Sequence, residues 1–364
     1  MLKIVARSSL SIIAIFCFIS VIAFSSLKIS FFSFIGNDET KTESFLYMMS
    51  MENRSLHSVL PFNPKRSLGK DALQLLTSIN LTDMKTFLIS EIPGLYASSP
   101  KILIAGEGSD FTNLPIESPP PPDFGEWDET EEDIEKQRAE TLALTDDYKA
   151  YIYHSHTRES FLPLLPGVTN PNSASNKEKN VTLLGKRLGE KLEEKGIKTL
   201  VDTTDVQSIL SQRNMQYYQS YDVARELVVD AMNKNDQVEL IFDLHRDSQR
   251  KDVTTTTING QSYAKPYFVI GLGHSNYEKN IAFAEKLHNK LEKKYPTLSR
   301  GVFEKPRNEY NNGIYNQDLY EKSLVIEIGG VDNTLEELYR TVDALAEVIS
   351  EYYWEQAVEA STNK

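Results

Sequence analysis

Cysteine is all but missing. The single one, Cys17, rules out both a disulfide framework and a thiolate metal site, so any metal held by these 364 residues must rest on histidine and carboxylates. Positive charge is in deficit: 39 Lys and Arg face 52 Asp and Glu, for a formal net charge of −13. Phosphate binding needs clustered cations that release counterions, so nucleic acid is disfavoured as the main partner. Residues 37–110 contain no repeat and no catalytic constellation. Otherwise the composition is that of an ordinary globular protein, long enough for one substantial domain and a smaller one.

Residues 8–27 carry no charge, and Leu10, Ile12, Ile13, Ile15, Phe16, Phe18, Ile19, Val21, Ile22 and Phe24 lie among them. The stretch matches the roughly 20 residues of a membrane span. Lys3 and Arg7 precede it, which keeps the amino terminus cytoplasmic and exports everything after Lys28. A cleaved signal peptide, which residues 20–26 leave open, is the alternative. Residues 37–112 predict a small, mainly helical extracytoplasmic region, with helices at 42–51, 72–79 and 84–89, acting as a partner-binding or spacer module. Residues 113–147 contain Pro119 to Pro122 and the acidic run 128–135, the makings of a semi-rigid stalk between anchor and catalyst.

From residue 148 to 357 strands and helices alternate. This pattern predicts an α/β domain with a mostly parallel twisted sheet flanked by helices. Val181, Leu184, Leu188 and Leu192 share a helical face, Gly196 ends that helix, and a strand follows at 197–201. Ala224, Leu227, Val228 and Ala231 stripe a second helix, and 238–244 reads as a strand buried on both faces. Asn259-Gly260 predicts a type I′ hairpin rimming the site. A strand at 267–272, a helix at 277–294, a strand at 324–328 and a helix bearing Leu335, Tyr339, Val342, Ala346, Ile349 and Tyr353 complete the pattern, with Asp332 or Asn333 as the last helix's cap.

Three strand ends in this domain carry ionisable groups. After the strand beginning at Ala150 come His156 and Glu159, whose His-x-x-Glu spacing lets an imidazole and a carboxylate on one turn approach a single ion. The strand 238–244 runs into His245, and Glu327 lies inside the apolar run 324–328. A carboxylate there is costly unless paired or placed at a metal-water site. Two histidines, one glutamate and an open position describe a hydrolytic zinc site, with Glu327 as the base that takes water's proton. Each piece also has a structural reading: His245-Arg246-Asp247 as an ion-paired turn, Glu327 as a partner of Arg246. His154 is an alternative ligand to His156, or else a group acting behind the ligands or on the transition state. Asn316, Gln317 and Arg300, on loops between His245 and Glu327, are candidates for holding substrate, whereas His57, His274 and His288 read as surface or helix-face residues.

The segments 151–161 (YIYHSHTRESF), 241–248 (IFDLHRDS), 315–319 (YNQDL) and 326–336 (IEIGGVDNTLE) resemble the stage II sporulation protein P family of endospore formers. The resemblance implies a membrane-anchored peptidoglycan hydrolase at the sporulation septum, acting in forespore engulfment. It would cut the N-acetylmuramic acid–L-alanine amide and peptide cross-links, on a fold similar to zinc N-acetylmuramoyl-L-alanine amidases and, distantly, zinc carboxypeptidases. It further implies His156, Glu159 and His245 as zinc ligands, with Glu327 as the catalytic glutamate. In such amidases a glutamate at a helix start binds zinc, which makes Glu178 an alternative to Glu159. The implied partners are stage II sporulation proteins D, a lytic transglycosylase, and M, a membrane protein. The alternative function is a degenerate member that binds wall or scaffolds partners without cutting.

Overall fold

The computed structural model describes residues 101–362 apart from 111, 123, 126–129, 144–146 and 306–312. They all fall in one compact unit, Ala97–Lys364. The apolar stretch 8–27 and the helices expected at 42–51, 72–79 and 84–89 lie outside the described residues. Among the described residues, no helix is long and apolar enough to cross a membrane.

The chain order is β1 (Lys101–Ala105), α1 (Glu131–Ala143), β2 (Ala150–Tyr153), α2 (Thr182–Glu194), β3 (Thr199–Val201), α3 (Val206–Gln212), α4 (Ser220–Lys234) and β4 (Leu240–Asp247). Then follow β5 (Thr255–Ile258), β6 (Gln261–Ala264), β7 (Pro266–Gly271), α5 (Tyr277–Lys294), β8 (Gly301–Lys305), β9 (Ser323–Gly330) and α6 (Leu335–Thr362). Seven strands form one sheet in the order β1-β8-β7-β9-β4-β2-β3. Pairings β2·β3, β2·β4, β4·β9 and β7·β8 are parallel, whereas β7·β9 and β1·β8 are antiparallel. The sheet is thus mostly parallel, and β2, β4 and β9 point their carboxyl ends the same way.

Side chains alternate faces along a strand, and this sheet is apolar on both. Ile152, Phe242, Leu244, Ile326 and Ile328 pack with Leu188 of α2, Leu287 of α5 and Leu345 of α6. Tyr151, Tyr153 and Ile241 face the other way, against Ala224, Val228 and Ala231 of α4. Tyr267, Val269 and Val325 share that second face with Tyr221. Asp243, His245 and Glu327 have the parity of Ile241 and Val325, so they rise from the α4 face.

The structure departs from the sequence reading in several places. Strand β1 pairs with β8, so the sheet takes in residues well before 148. Residues 113–118 hydrogen-bond to the end of β4, and α1 sends Ile134 into a cluster with Val206 and Leu227. The stretch read as a stalk is therefore docked on the domain over much of its length, since its apolar side chains and backbone groups find partners there. The β5–β6 hairpin forms, with Asn259 and Gly260 at φ 51° and 78° as a type I′ turn requires. It does not rim the site: Arg340 of α6 donates to Ser262 O, and Tyr263 packs into the opposite face. Helix α6 is capped by Thr334, paired with Glu337, while Asn333 Oδ1 accepts from Gly330 N at 2.8 Å. Of the two places read for it, surface or helix face, His288 takes the helix face, on α5 and buried against Ser299.

Candidate metal centre

Strand β2 stops at Tyr153, and the next residues fold over the carboxyl edge of the sheet. Glu159 N donates to His156 O at 3.0 Å, closing a turn that sets residues i and i+3 side by side. The loop is pinned on each flank: Ser160 N donates to Ala174 O at 2.9 Å, Val181 N to Glu159 O at 2.7 Å, and Arg158 Nε to Asp205 at 2.8 Å. Across from it, His245 stands in register with Glu327. His156, Glu159 and His245 each offer one ligand atom, all within 4.8 Å of one another. The carboxylate joins the rings, with Oε1 at 3.7 Å from His156 Nδ1 and Oε2 at 3.4 Å from His245 Nδ1.

The other side of His245 is occupied. Its Nε2 lies 3.1 Å from Asp243 Oδ1 and 3.0 Å from Ser155 Oγ. Ser155 in turn donates to Asp243 through N at 2.9 Å and through Oγ at 2.5 Å. An imidazole whose Nε2–H is taken by a carboxylate keeps its Nδ1 lone pair for an ion, and such a partner also fixes the ring's orientation. His156 is held by rings: Tyr217 stacks on it at 4.8 Å and Tyr221 meets it edge-on at 5.4 Å. Its Nδ1 has no hydrogen-bond partner.

Burial sets the electrostatics. It works to raise the Glu159 carboxyl, but His156, His245 and Arg246 outweigh it and hold the group well below the usual range. Burial likewise works against a charged His245, and Asp243 with Glu159 overcomes it and raises the imidazole well above its ordinary value. Glu327 is pushed up to about 8: burial dominates, His245 opposes it, and Glu159, Asp247 and Glu117 add to it. Its buried Oε2 has no hydrogen-bond partner, so this carboxylate is not held by Arg246. The Arg246 guanidinium instead donates to Ser160 O, Ser118 Oγ, Ser248 Oγ and Ala174 O, while its backbone N donates to Glu159 Oε2 at 3.0 Å.

The remaining candidates stand apart from the cluster. His154 turns under α2, with Nδ1 at 3.2 Å from Asp202 O and its ring against Gly185, because the chain leaves extended geometry after Tyr153. Glu178 is exposed on the loop before α2, where Asn176 Oδ1 accepts from its backbone N. Arg300 is 1% exposed, paired with Asp247 at 2.5 Å and laid over the Tyr267 ring at 4.8 Å. Gln317 bridges the β7 backbone at Gly271 N and Val269 O, and Asn316 donates to Tyr221 O at 3.1 Å. All three side chains are buried and engaged with the surrounding protein.

Asp243, Ser155, Tyr217, Tyr221 and Glu117 were not anticipated. Asp243 had a signal: it is a carboxylate inside an apolar strand, two residues and hence one face from His245. The tyrosines had none, since Tyr217 in the turn before α4 and Tyr221 in the first turn of α4 reach the site from a distance in sequence.

Fold and cluster together define an α/β protein with a buried two-histidine, one-glutamate centre at the carboxyl edge of its sheet. A family model described as Stage II sporulation protein P matches residues 82–350. The chain is 44% identical over 336 residues to the Stage II sporulation protein P of Bacillus subtilis (strain 168), covering 89% of this chain and 84% of that protein. It belongs to the stage II sporulation protein P family. Among solved structures it shows a slight likeness to the N-acetylmuramoyl-L-alanine amidase from Clostridium difficile 630, with a TM-score of 0.34, 12% identity, and coverage of 57% of this chain and 98% of that one.

Proposed function

We propose that this chain is a metal-dependent peptidoglycan hydrolase of sporulation, cleaving the N-acetylmuramic acid–L-alanine amide and peptide cross-links. The observation that carries the reading is the convergence of His156, Glu159 and His245 in one buried cluster beside Glu327, whose Oε2 is unpartnered. The donor set suits zinc. Two imidazoles and one carboxylate are a set that zinc accepts, and one ligand atom from each of the three residues lies within 4.8 Å of the others. The orphaned Nδ1 of His156 is the kind of buried atom that such an ion would satisfy.

When bound, the ion supplies Lewis acidity toward a carbonyl oxygen and toward water. The protein does the rest. Asp243 and Ser155 hold His245 with Nε2 engaged, so that Nδ1 is presented to the centre. Tyr217 and Tyr221 fix His156 and exclude solvent. In its ionised form Glu327 takes a proton from the attacking water at Oε2 and returns it to the leaving amine, and the burial that raises its carboxyl helps it hold that proton between the two steps. Residues 8–27 would anchor the protein with its amino terminus in the cytoplasm and this domain outside. The family reading extends the proposal to stage II sporulation proteins D and M as partners at the septum.

The test is release of muropeptides from purified cell wall by the purified protein, with zinc content measured on the same preparation. Chelation abolishes release and zinc restores it; His156→Ala and His245→Ala lower zinc content and release together, while His154→Ala retains the metal. Undiminished release by metal-stripped protein overturns the reading.

A further inference from the structure

Residues 113–118 run beside the cluster with their backbone tied to the sheet. Ile116 N donates to Asp247 Oδ1 at 2.9 Å, Ser248 N donates to Ile116 O at 2.9 Å, and Gln249 Nε2 donates to Leu114 O at 3.0 Å. The Glu117 side chain is less constrained, being 34% exposed. Its carboxylate ends between Lys305 Nζ at 2.6 Å and the Tyr221 hydroxyl at 3.2 Å. Lys305 closes β8 and lies over the Tyr315 ring at 5.5 Å. Tyr221 is the ring set edge-on to His156 and stacked at 6.1 Å on His245. A receptor for one carboxylate, made of a cation and a hydroxyl, therefore stands a single aromatic ring away from the candidate centre.

We propose that Lys305 and the Tyr221 hydroxyl form a subsite for a carboxylate of the peptide substrate, and that Glu117 holds its place in the free protein. The proposal rests on the hydrolase reading above and names the part of the substrate that is gripped. Three considerations support it. The chain carries a net charge of −13, so an acidic peptide needs a cation within the site to hold it, and Lys305 supplies one once Glu117 turns out. The pairing is not needed to hold residues 113–118, because backbone bonds already do so and a partly exposed ion pair adds little to stability. The backbone anchors on either side leave the Glu117 side chain free to rotate out, so displacement costs no unfolding. An incoming carboxylate would exchange for one of the same charge and geometry.

The experiment is equilibrium binding of L-alanyl-D-glutamate and of its diamide to the full chain, by titration calorimetry. Hydrogen bonds to charged groups imply about tenfold or greater preference for the acid. Lys305→Met should bring acid and amide to equal affinity, and Lys305→Arg should keep most of the preference. Glu117→Gln should tighten binding of the acid alone, and should do so only when Lys305 is present. Equal binding of acid and amide by the unaltered chain overturns the proposal. So does a Lys305→Met variant that binds both peptides more tightly, which would make the pair a mere clasp on residues 113–118. Binding needs no turnover, so a chain that discriminates the two peptides yet releases no muropeptides contradicts the hydrolase reading and leaves the subsite standing.

Discussion

Replacing Asp243 by Asn should weaken zinc binding without loosening the fold. Asp243 Oδ1 accepts from Ser155 N and faces His245 Nε2, while Oδ2 accepts the Ser155 hydroxyl. Asn keeps the volume, and it keeps Oδ1 toward Ser155 N. At the second position it presents an amide where an acceptor stood, so the serine hydroxyl must receive rather than donate. Its own proton then turns to the nearest acceptor, His245 Nε2, 3.0 Å away. That choice moves the ring's proton to Nδ1, the atom offered to the metal. Partners that orient a ligating imidazole are worth about 10–100-fold in affinity, or about 1.4–2.7 kcal/mol.

Competition with a chromogenic chelator measures that shift, and the melting temperature of metal-free protein reports the fold. Asp243→Asn should raise the zinc Kd by about 10–100-fold at nearly constant Tm. Asp243→Ala instead leaves Ser155 N unpaired at about 1–3 kcal/mol, so its Tm should fall by roughly 2–4 °C for each kcal/mol lost. Adding Ser155→Ala to Asp243→Asn removes the hydroxyl that enforces the wrong tautomer and should recover part of the affinity. Unchanged zinc affinity in Asp243→Asn, or no recovery in the double variant, refutes the reasoning.

Glu327→Gln should lower turnover by about 10²–10⁴-fold with full zinc content and unchanged Tm; retained turnover shows that the carboxylate is not the base. Arg300→Met breaks a fully buried pair with Asp247 and should cost about 3–5 kcal/mol, seen as a lower denaturation midpoint, while the substrate KM of the folded fraction stays the same. A rise in KM would place Arg300 at the substrate after all. A methyl group at Gly185 would meet the His154 ring at 2.5 Å. Gly185→Ala gains about 0.8–1.0 kcal/mol of helix propensity against about 1–3 kcal/mol of overpacking, so the expected result is a net loss of Tm, and a stabilised variant would show that the ring can move.

What the sequence disclosed follows from which forces are local. The strands were readable because both faces of the sheet are apolar, giving runs such as 238–244 that resemble nothing else, and because Asn259-Gly260 admits one kind of turn. His156 and Glu159 were readable as a pair because a three-residue offset on a turn brings two side chains together whatever lies around them. His154 shows the limit of that logic: two residues from His156, it was placed on the same face by the pleat, but the strand ends at Tyr153 and the pleat no longer applies. Arg300, Asn316 and Gln317 meet a related limit. Polar side chains on loops between site residues serve as readily to pin backbone as to grip a ligand, and only the tertiary partners of each side chain tell which it does. Residues 113–118 were hardest to place, because prolines and acids describe a stalk equally well when no neighbour is known. Their partners, Asp247, Ser248, Lys305 and Tyr221, lie 100 to 190 residues away in sequence, by about 3.3–3.6 Å per extended residue far beyond any local pattern. Glu117 thus reaches the candidate centre only through tertiary contacts, with Lys305 and the Tyr221 hydroxyl.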